Sequence, residues 1–205
     1  MNRGKILEAW RRKRPLTGGA DGADFIIVSN LDKLAVKGAA ALLPLGDANA
    51  LSLQSAKERI PRAGTTPVIA GVCATDPLRL MDKFLQEMKG AGVAGVQNAP
   101  SVGLIDGGFR TNLEEAKLGY AREVDLVRQA DRLDLLTVMI VFTTDDARAM
   151  AAAGADAIVI HPGLGPARRP KAQEEIAAAA REARKDVLVL SMGAAAVGLD
   201  GIQTE

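Results

Sequence analysis

The sequence predicts an α/β fold built around a parallel sheet. Six short apolar runs recur along the chain and are continuous rather than alternating, which is typical of strands covered on both faces. Segments with helical periodicity separate the runs, and this alternation indicates βα units. The runs lie in FIIVSN (25–30), TPVIAGVCA (66–74), GVQN (95–98), LLTVMIVF (135–142), AIVIHPG (157–163) and DVLVLSMG (186–193).

A weak repeat marks the entry to three of these strands. The triplet Gly-Ala-Asp stands at residues 22–24 and again at 154–156, each time directly before an apolar run. Gly92 holds the corresponding place before GVQN, without the acidic residue. Glycine favours the position after the last turn of a helix. Each copy therefore predicts a helix end followed by a buried strand.

Helices are predicted between the strands. In residues 78–89 apolar side chains fall at i, i+3, i+4 and i+7, and Asp76 followed by Pro77 predicts the start of that helix. Asn112 with Glu115 three residues later resembles a capping box, which predicts a helix that continues past Tyr120. Alanine-rich segments at 144–153 and 170–184 predict two more helices.

Two architectures fit this pattern. An eight-stranded (β/α) barrel usually needs about 250 residues, with roughly 200 as a minimum, and an open doubly wound sheet is the alternative. The 205 residues are enough for one domain over the whole chain, 1–205. No glycine-rich dinucleotide fingerprint or phosphate P-loop follows any apolar run, which argues against the commonest uses of the open sheet.

Composition excludes several classes of function. The formal net charge of +1 gives no reason to expect binding to nucleic acid or to an anionic membrane surface. No apolar stretch reaches the roughly 18 residues of a membrane span, and the N-terminus lacks the apolar core of a signal peptide. A single cysteine forms no internal disulfide, so a cytoplasmic location is predicted.

The segment from Val93 to Tyr120 predicts a binding loop. It crosses a long stretch rich in Gly, Pro, Asn and Asp, whereas most connections span about 2–6 residues. Apolar anchors such as Val102 and Phe109 alternate with polar residues, which indicates an ordered loop. Its polar candidates for substrate binding are Gln97, Asn98, Asp106, Arg110 and Asn112.

In both architectures the site lies at the C-terminal ends of the strands. Asp47 and Asp76 could hold a divalent cation such as Mg²⁺, since hard oxygen ligands suit it, but Asp76 equally suits a helix cap. Asn49, a further candidate for substrate binding, shares with Asp47 the connection after the first visible strand, and both are candidates only if that connection folds over the barrel mouth. The only histidine, His161, is a candidate general acid or base, or a histidine bonded at the rim.

Two more side chains have alternative interpretations. Cys73 is a candidate catalytic nucleophile, although a cysteine after such a strand is more often a small buried hydrophobe. Arg110, close to a predicted helix start, could bind a carboxylate or phosphate with the N–H groups there, or form a surface ion pair.

Four motifs resemble the phosphoenolpyruvate hydrolase-like family: TPVIAGVCATDP, AGVQNAPSVGLIDGGFRTNLEEAKLGY, LLPLGDANAL and the terminal QTE. The same barrel forms the C-terminal domain of plant tobamovirus-resistance inhibitor-like proteins. The resemblance implies a TIM barrel related to enzymes that act on small phosphorylated or phosphonylated oxoacids with Mg²⁺, by hydrolase or lyase chemistry. In that scheme Asp47 and Asp76 would position Mg²⁺, Arg110 and Asn98 would hold the acid, and His161 would move the proton.

The chain also departs from the family pattern. Residues 14–17 run straight into Gly-Gly-Ala-Asp, where the family carries a glycine-rich first strand and a helix, and residues 196–205 keep only a remnant of the last strand. The family's second histidine is lost near Ser191. These differences predict a barrel without its first and last strands, which closes differently, stays open, or is completed by a second copy in a homo-oligomer. They also favour an alternative function, a non-catalytic binding or regulatory module.

Overall fold

A computed structural model describes residues 2–13, 15–20, 22–29, 46–163, 170–193 and 198–204. Eight parallel strands form a closed barrel, in which each strand pairs with the next along the chain and the last pairs with the first. The predicted TIM-like α/β fold is therefore confirmed. The strands are β1 (Leu16–Gly19), β2 (Phe25–Val28), β3 (Val68–Gly71), β4 (Gly95–Gln97), β5 (Leu136–Val141), β6 (Ala157–Ile160), β7 (Leu188–Met192) and β8 (Gly201–Gln203).

The prediction that the first and last strands are missing is wrong. The segment Leu-Thr-Gly-Gly forms β1, and β8 is a three-residue strand that pairs with both β7 and β1. Both strands are too short and too rich in glycine to stand out as apolar runs. Backbone bonds close the seam: Leu16 N–H donates to Asp200 O at 2.9 Å, and Thr204 N–H donates to Gly18 O at 2.9 Å. One chain thus closes the barrel without strands from a second copy.

The helices have the following bounds: α1 (Arg3–Arg12), α2 (Ala48–Arg59), α3 (Met81–Gly90), α4 (Gly107–Glu115), α5 (Ala121–Arg132), α6 (Thr144–Ala153) and α7 (Pro170–Ala183). The predictions for α6 and α7 are confirmed. A capping box of Thr143 and Asp146 begins α6, and Gly154 ends it in the left-handed region at φ 104°. No helix lies between β1 and β2 in the described residues, in agreement with the expected loss of the first crossover helix.

Two predicted helix starts are wrong. α3 begins at Met81, because the Asp76 carboxylate accepts from Leu78 N–H at 2.9 Å and closes a turn before the helix. Asn112 lies inside α4 instead of capping it, since α4 already begins at Gly107. The chain then leaves helical geometry at Lys117, with φ 58°, so a separate helix, α5, begins after Tyr120.

Helix α1 covers the N-terminal end of the barrel. The Trp10 ring lies 4.9 Å from the ring of Phe25, the first residue of β2. Arg3 pairs with Asp156, which directly precedes β6. Leu7 and Trp10 are buried, so this helix extends the core below the barrel.

The Gly-Ala-Asp repeat has a structural explanation at this same end. Asp24 and Asp156 precede β2 and β6, and Asp200 holds the same place before β8. Each accepts a hydrogen bond from a backbone N–H of the preceding strand, from Thr17 (2.9 Å), Thr137 (3.0 Å) and Val189 (2.8 Å) respectively. Each also pairs with a basic side chain, from Lys13, Arg3 and Arg181 respectively. The repeat thus joins neighbouring strands at the end of the barrel opposite the expected site, where TIM barrels keep residues for stability.

Replacing Gly201 with alanine is expected to lower the free energy of unfolding by about 1–3 kcal/mol. A Cβ at this position would lie 2.2 Å from the backbone oxygen of Leu16, so β8 could not keep its pairing with β1. Urea denaturation measures the effect. Gly108→Ala is the matched control, because its Cβ would meet nothing within 4 Å. Equal stability of the two variants would contradict the description of the seam.

No helix in the described part of the chain is both long and apolar enough to cross a membrane.

Candidate functional site

A cleft opens at the C-terminal end of β3. It has a volume of about 510 Å³ and lies between the start of α2 and the loop that leads from β3 to α3. This is the edge at which TIM barrels place their active sites. Its lining includes Asp47, Ala48, Cys73, Thr75, Asp76 and Arg79.

Asp47 and Asp76 both line this cleft, and both of their carboxylates contact the guanidinium of Arg79. One oxygen of each carboxylate accepts a backbone N–H: Asp47 Oδ1 from Ala50 at 2.9 Å, and Asp76 Oδ1 from Leu78 at 2.9 Å. The other oxygen of each faces Arg79, with Nη2–Oδ2 2.5 Å to Asp47 and Nε–Oδ2 3.3 Å to Asp76. The Ala50 N–H, and after it Arg79, hold the pKa of Asp47 below its ordinary value.

Sequence analysis did not identify Arg79. Its guanidinium lies 5.0 Å above the Phe84 ring, which supports it from α3. Arg79 pairs with Asp47 across 32 positions of the chain, so no local pattern reveals the contact. The available signal was its place in the predicted rim loop, three residues after Asp76.

Asn49 ties α2 to the end of β3. Its Oδ1 accepts from Cys73 N–H at 2.9 Å, while its Nδ2 donates to Cys73 O at 3.1 Å and to Asp76 Oδ2 at 3.0 Å. The side chain is 1% exposed. Asn49 therefore positions the loop and the Asp76 carboxylate, and its own polar atoms are engaged inside the protein.

The Cys73 thiol is not activated. Burial, followed by the nearby Asp76 carboxylate, raises its pKa, and its Sγ lies 3.6 Å from Thr75 Oγ1. Reactive cysteines have a lowered pKa that favours the thiolate. These surroundings fit the alternative of a small buried residue that lines the cleft.

Asn98 and Glu123 form a separate network beneath the loop after β4. Asn98 Oδ1 accepts from Ile140 N–H at 2.7 Å, and Asn98 Nδ2 donates to Ile140 O and to Glu123 Oε2. Glu123 also accepts from Ser101 Oγ and from Val102 N–H, both at 2.7 Å. Burial raises the pKa of Glu123 to about 7, although these three donors lower it.

Sequence analysis did not identify Glu123 either. It lies three residues after Tyr120 and four before Val127, on the same side of the helix as these two buried residues. A lone acidic residue on an apolar helix face was the signal, because such a carboxylate needs hydrogen-bond partners from elsewhere.

Gln97 points across the barrel. Its Nε2 donates to Gln203 Oε1 at 2.8 Å, and Gln203 Nε2 donates to Gln97 Oε1 at 3.2 Å. The two amides join β4 to β8, which are separated by half the circumference, so they bridge the barrel interior. Both side chains are buried, and Gln97 closes the interior below the rim.

The remaining residues of the long loop lie on or beside α4. Arg110 Nε donates to Glu114 at 2.6 Å, its Nη1 donates to Val102 O at 2.9 Å, and its guanidinium lies 5.8 Å from the Tyr120 ring centre. These contacts fix the loop to the helix. Asp106 and Asn112 are exposed, and Asp106 makes no side-chain cap.

His161 lies directly after β6 and is half-buried, with its ring 5.3 Å from that of Phe142. Its Nδ1 accepts from Gly163 N–H at 2.9 Å. A ring nitrogen that accepts carries no proton, so the neutral imidazole has its proton on Nε2. In this tautomer the ring nitrogen that can donate is Nε2.

The residues that were predicted to form one site therefore lie in separate places in the structure. Asp47, Asn49, Cys73 and Asp76 come together beside β3, whereas Gln97, Asn98 and Arg110 are held in contacts of their own. No group of three or more His, Cys, Asp or Glu side chains that could hold a metal occurs in the described residues. The two carboxylates of the cleft already share Arg79, so these residues do not fit a Mg²⁺ site as they stand.

Comparison with known proteins identifies a family, relatives in sequence and a solved structure of similar fold. The model of the phosphoenolpyruvate hydrolase-like family matches residues 17–205. The tomato (Solanum lycopersicum) ToMV resistance protein Tm-1(GCR237) is 49% identical over 148 residues, which is 71% of this chain and 20% of that protein. The uncharacterized protein y4oT of Sinorhizobium fredii is 33% identical over 118 residues, 58% of this chain and 59% of that protein.

A crystal structure of a Burkholderia cenocepacia protein, assigned as a phosphonomutase, aligns with a TM-score of 0.61. The alignment covers 98% of this chain and 91% of that one at 18% identity, so it shows the shared fold. The chain spans about a fifth of the length of the tomato relative.

Proposed function

The chain belongs to the phosphoenolpyruvate hydrolase-like family, and from that premise we propose that it binds a small oxoacid and hydrolyses or cleaves it. The proposed site is the cleft beside β3. The observation that carries the proposal is Arg79, a guanidinium held in place by two carboxylates at the C-terminal edge of the barrel. The proposed substrates are oxoacids, including phosphorylated or phosphonylated ones.

Arg79 is the group that we assign to the acid. Its Nε and Nη2 are engaged by Asp76 and Asp47, and its Nη1 makes no bond to any described residue. Those Nη1 hydrogens suit a carboxylate or phosphoryl oxygen. In this proposal Arg79 replaces Arg110, whose Nε and Nη1 are engaged by Glu114 and the Val102 carbonyl.

His161 follows β6 and is not among the described residues that line the cleft; in this proposal it acts on the oxo group from another part of the rim. With Nδ1 accepting from Gly163, the neutral ring donates through Nε2. A donor aimed at an oxygen on which negative charge develops stabilises the transition state of hydrolysis or cleavage. The proposed role is therefore hydrogen-bond donation, rather than removal of a proton.

The charge of the cleft sets a preference among acids. Asp47 and Asp76 contribute two negative charges and Arg79 one positive charge, so the three groups together carry one negative charge. A like charge opposes an anionic ligand. We therefore expect acids of low charge to bind more tightly than highly charged ones.

Turnover tests the proposal. Purified protein is incubated with phosphoenolpyruvate, phosphonopyruvate or oxaloacetate, each with and without MgCl₂, and pyruvate and phosphate are assayed. At least one acid should give pyruvate, and Arg79→Met should lower the rate about 10²-fold, as when a transition-state donor is removed. Arg128→Ala is the control, since Arg128 pairs with Asp125 on the exposed surface of α5. No turnover above that of Arg79→Met would refute the proposal.

A non-catalytic binding module is the second candidate. It is favoured by the hydrogen bonds that Gln97 and Asn98 make inside the protein and by the burial that raises the pKa of the Cys73 thiol. It predicts that an oxoacid raises the Tm of the wild-type protein, but not of Arg79→Met, while no pyruvate forms. Turnover in the assay above would exclude it.

A further inference from the structure

We propose that Arg79 is the resident cation of the Asp47–Asp76 pair and keeps divalent metal ions out of it. The inference concerns which cation the two carboxylates hold. It does not depend on the reaction proposed above, because metal binding is measured without substrate.

The first step is the orientation of the carboxylates. Each has its Oδ1 bound to a backbone N–H, and the two Oδ2 oxygens face the same space in the cleft. That space is occupied by the guanidinium, which contacts Asp47 through Nη2 and Asp76 through Nε. A metal ion bridging the same two oxygens would need the space that Arg79 fills.

The second step is the supply of ligands. Mg²⁺ requires near-octahedral oxygen ligands at about 2.0–2.1 Å. Asn49 is in contact with Asp76 and carries an amide oxygen, but it turns its Nδ2 toward Asp76 Oδ2 and its Oδ1 toward Cys73 N–H. The Asn49 amide thus offers an N–H group, and not an oxygen ligand, on the side of the Asp76 carboxylate.

The third step is what holds Arg79 there. Its guanidinium lies over Phe84 at 5.0 Å, and only 26% of its side chain is exposed. A metal ion would have to break two ion pairs and this stacking contact before it could bind. The contact between a partly buried guanidinium and an aromatic ring adds to the stability of the ion pairs.

Titration with Mn²⁺ alone, followed by the electron paramagnetic resonance signal of the free ion, tests the proposal. The variant is Arg79→Met, which keeps an apolar stem against Phe84 and removes the charge. We expect the variant to bind one Mn²⁺ at least about tenfold more tightly than the wild-type protein, a difference of about 1.4 kcal/mol. Addition of Asp47→Asn to the variant should abolish the gain.

Arg128→Met is the matched control, because it removes an arginine from an exposed pair with Asp125 and should create no site. A second measurement uses the wild-type protein alone: the carboxyl ¹³C signals of Asp47 and Asp76 should not shift with 10 mM Mg²⁺, a concentration chosen on the order of a weak oxygen-ligand site. The proposal is overturned if those signals shift. It is equally overturned if Arg79→Met folds and binds Mn²⁺ no better than the wild-type protein.

Discussion

Replacing Asp156 with alanine is expected to lower the free energy of unfolding by about 3–5 kcal/mol, the range for breaking a buried ion pair by removing one partner. Asp156 is 1% exposed and directly precedes β6. Its two oxygens receive Nε and Nη2 of Arg3, at 3.0 and 2.9 Å. Oδ2 also accepts the backbone N–H of Thr137 at 3.0 Å and its hydroxyl at 3.2 Å.

The substitution therefore has two consequences. Arg3, with 13% of its side chain exposed, would keep only its contact with the exposed Asp131. The Thr137 N–H would lose its acceptor in the buried ladder between β5 and β6. A buried donor without a partner costs about 1–3 kcal/mol by itself.

Denaturation in guanidinium chloride, analysed as a two-state transition, measures the effect. Asp125→Ala is the matched control, because Asp125 forms an exposed pair with Arg128 at 2.7 Å. Exposed pairs of this kind contribute about 0–1 kcal/mol. If Asp156→Ala lost no more stability than Asp125→Ala, the description of the N-terminal face would be wrong.

The second large effect is on pH dependence. Glu123 has an ordinary pKa of 4.5 and a pKa of about 7 in the folded protein, because burial disfavours its charge. Between these values the folded state holds a proton that the unfolded state has lost. The free energy of unfolding therefore falls as pH rises from about 4.5 to about 7, by up to about 3 kcal/mol. Above that range the ionisation of Glu123 causes no further change.

The variant Glu123→Gln tests whether the ionisation of Glu123 causes this fall in stability with rising pH. The amide cannot ionise, so the fall in stability between pH 5 and 7 should be smaller in the variant than in the wild-type protein. At pH 5 the variant should be less stable than the wild-type protein, by about 1–3 kcal/mol, because its NH₂ group faces the donors that bind the carboxyl oxygens of Glu123. This difference should shrink as the pH rises toward 7, where the wild-type protein loses the contribution of the proton on Glu123. Burial raises the pKa of Asp146 too, which adds a fall of the same sign to both proteins.

Chemical denaturation at a series of pH values gives the two slopes. Glu87→Gln is the control, because Glu87 is an exposed carboxylate on α3 that pairs with Lys57. It should keep the wild-type slope. Parallel profiles for the wild-type protein and Glu123→Gln would show that Glu123 is charged in the folded state at pH 5.

Several parts of the fold could be predicted because their cause is local. All residues of β5 and β6 are buried, on both faces of the sheet, and strands buried in this way have continuous apolar sequences. The alanine-rich segment 144–153 and the glycine at position 154 predicted α6 and its end, because helix propensity and the left-handed conformation of a glycine are local properties. The rule that sites lie after the strands identified Cys73 and Asp76 at one edge of the barrel, where Asp47 also lies.

Other parts could not be predicted, because their partners are distant in sequence. β1 and β8 are defined by their pairing with each other across the chain ends, and their own residues carry little strand signal. Arg79 and Glu123 are charged residues of ordinary appearance until Asp47 and Asn98 lie beside them. The guanidinium of Arg110 is chemically suited to bind an anion, but in the folded loop it donates to Glu114 and to the Val102 carbonyl.

The sequence by itself determined the class of fold, the family, and the rim at which the polar residues gather, since apolar periodicity and long motifs are properties of neighbouring residues. Only the tertiary structure decided that the barrel closes with eight strands and that Asp47 and Asp76 hold an arginine. Both outcomes depend on contacts between residues far apart in the chain. Closure requires backbone hydrogen bonds between its two ends, and the state of a carboxylate depends on which charge the fold brings within reach.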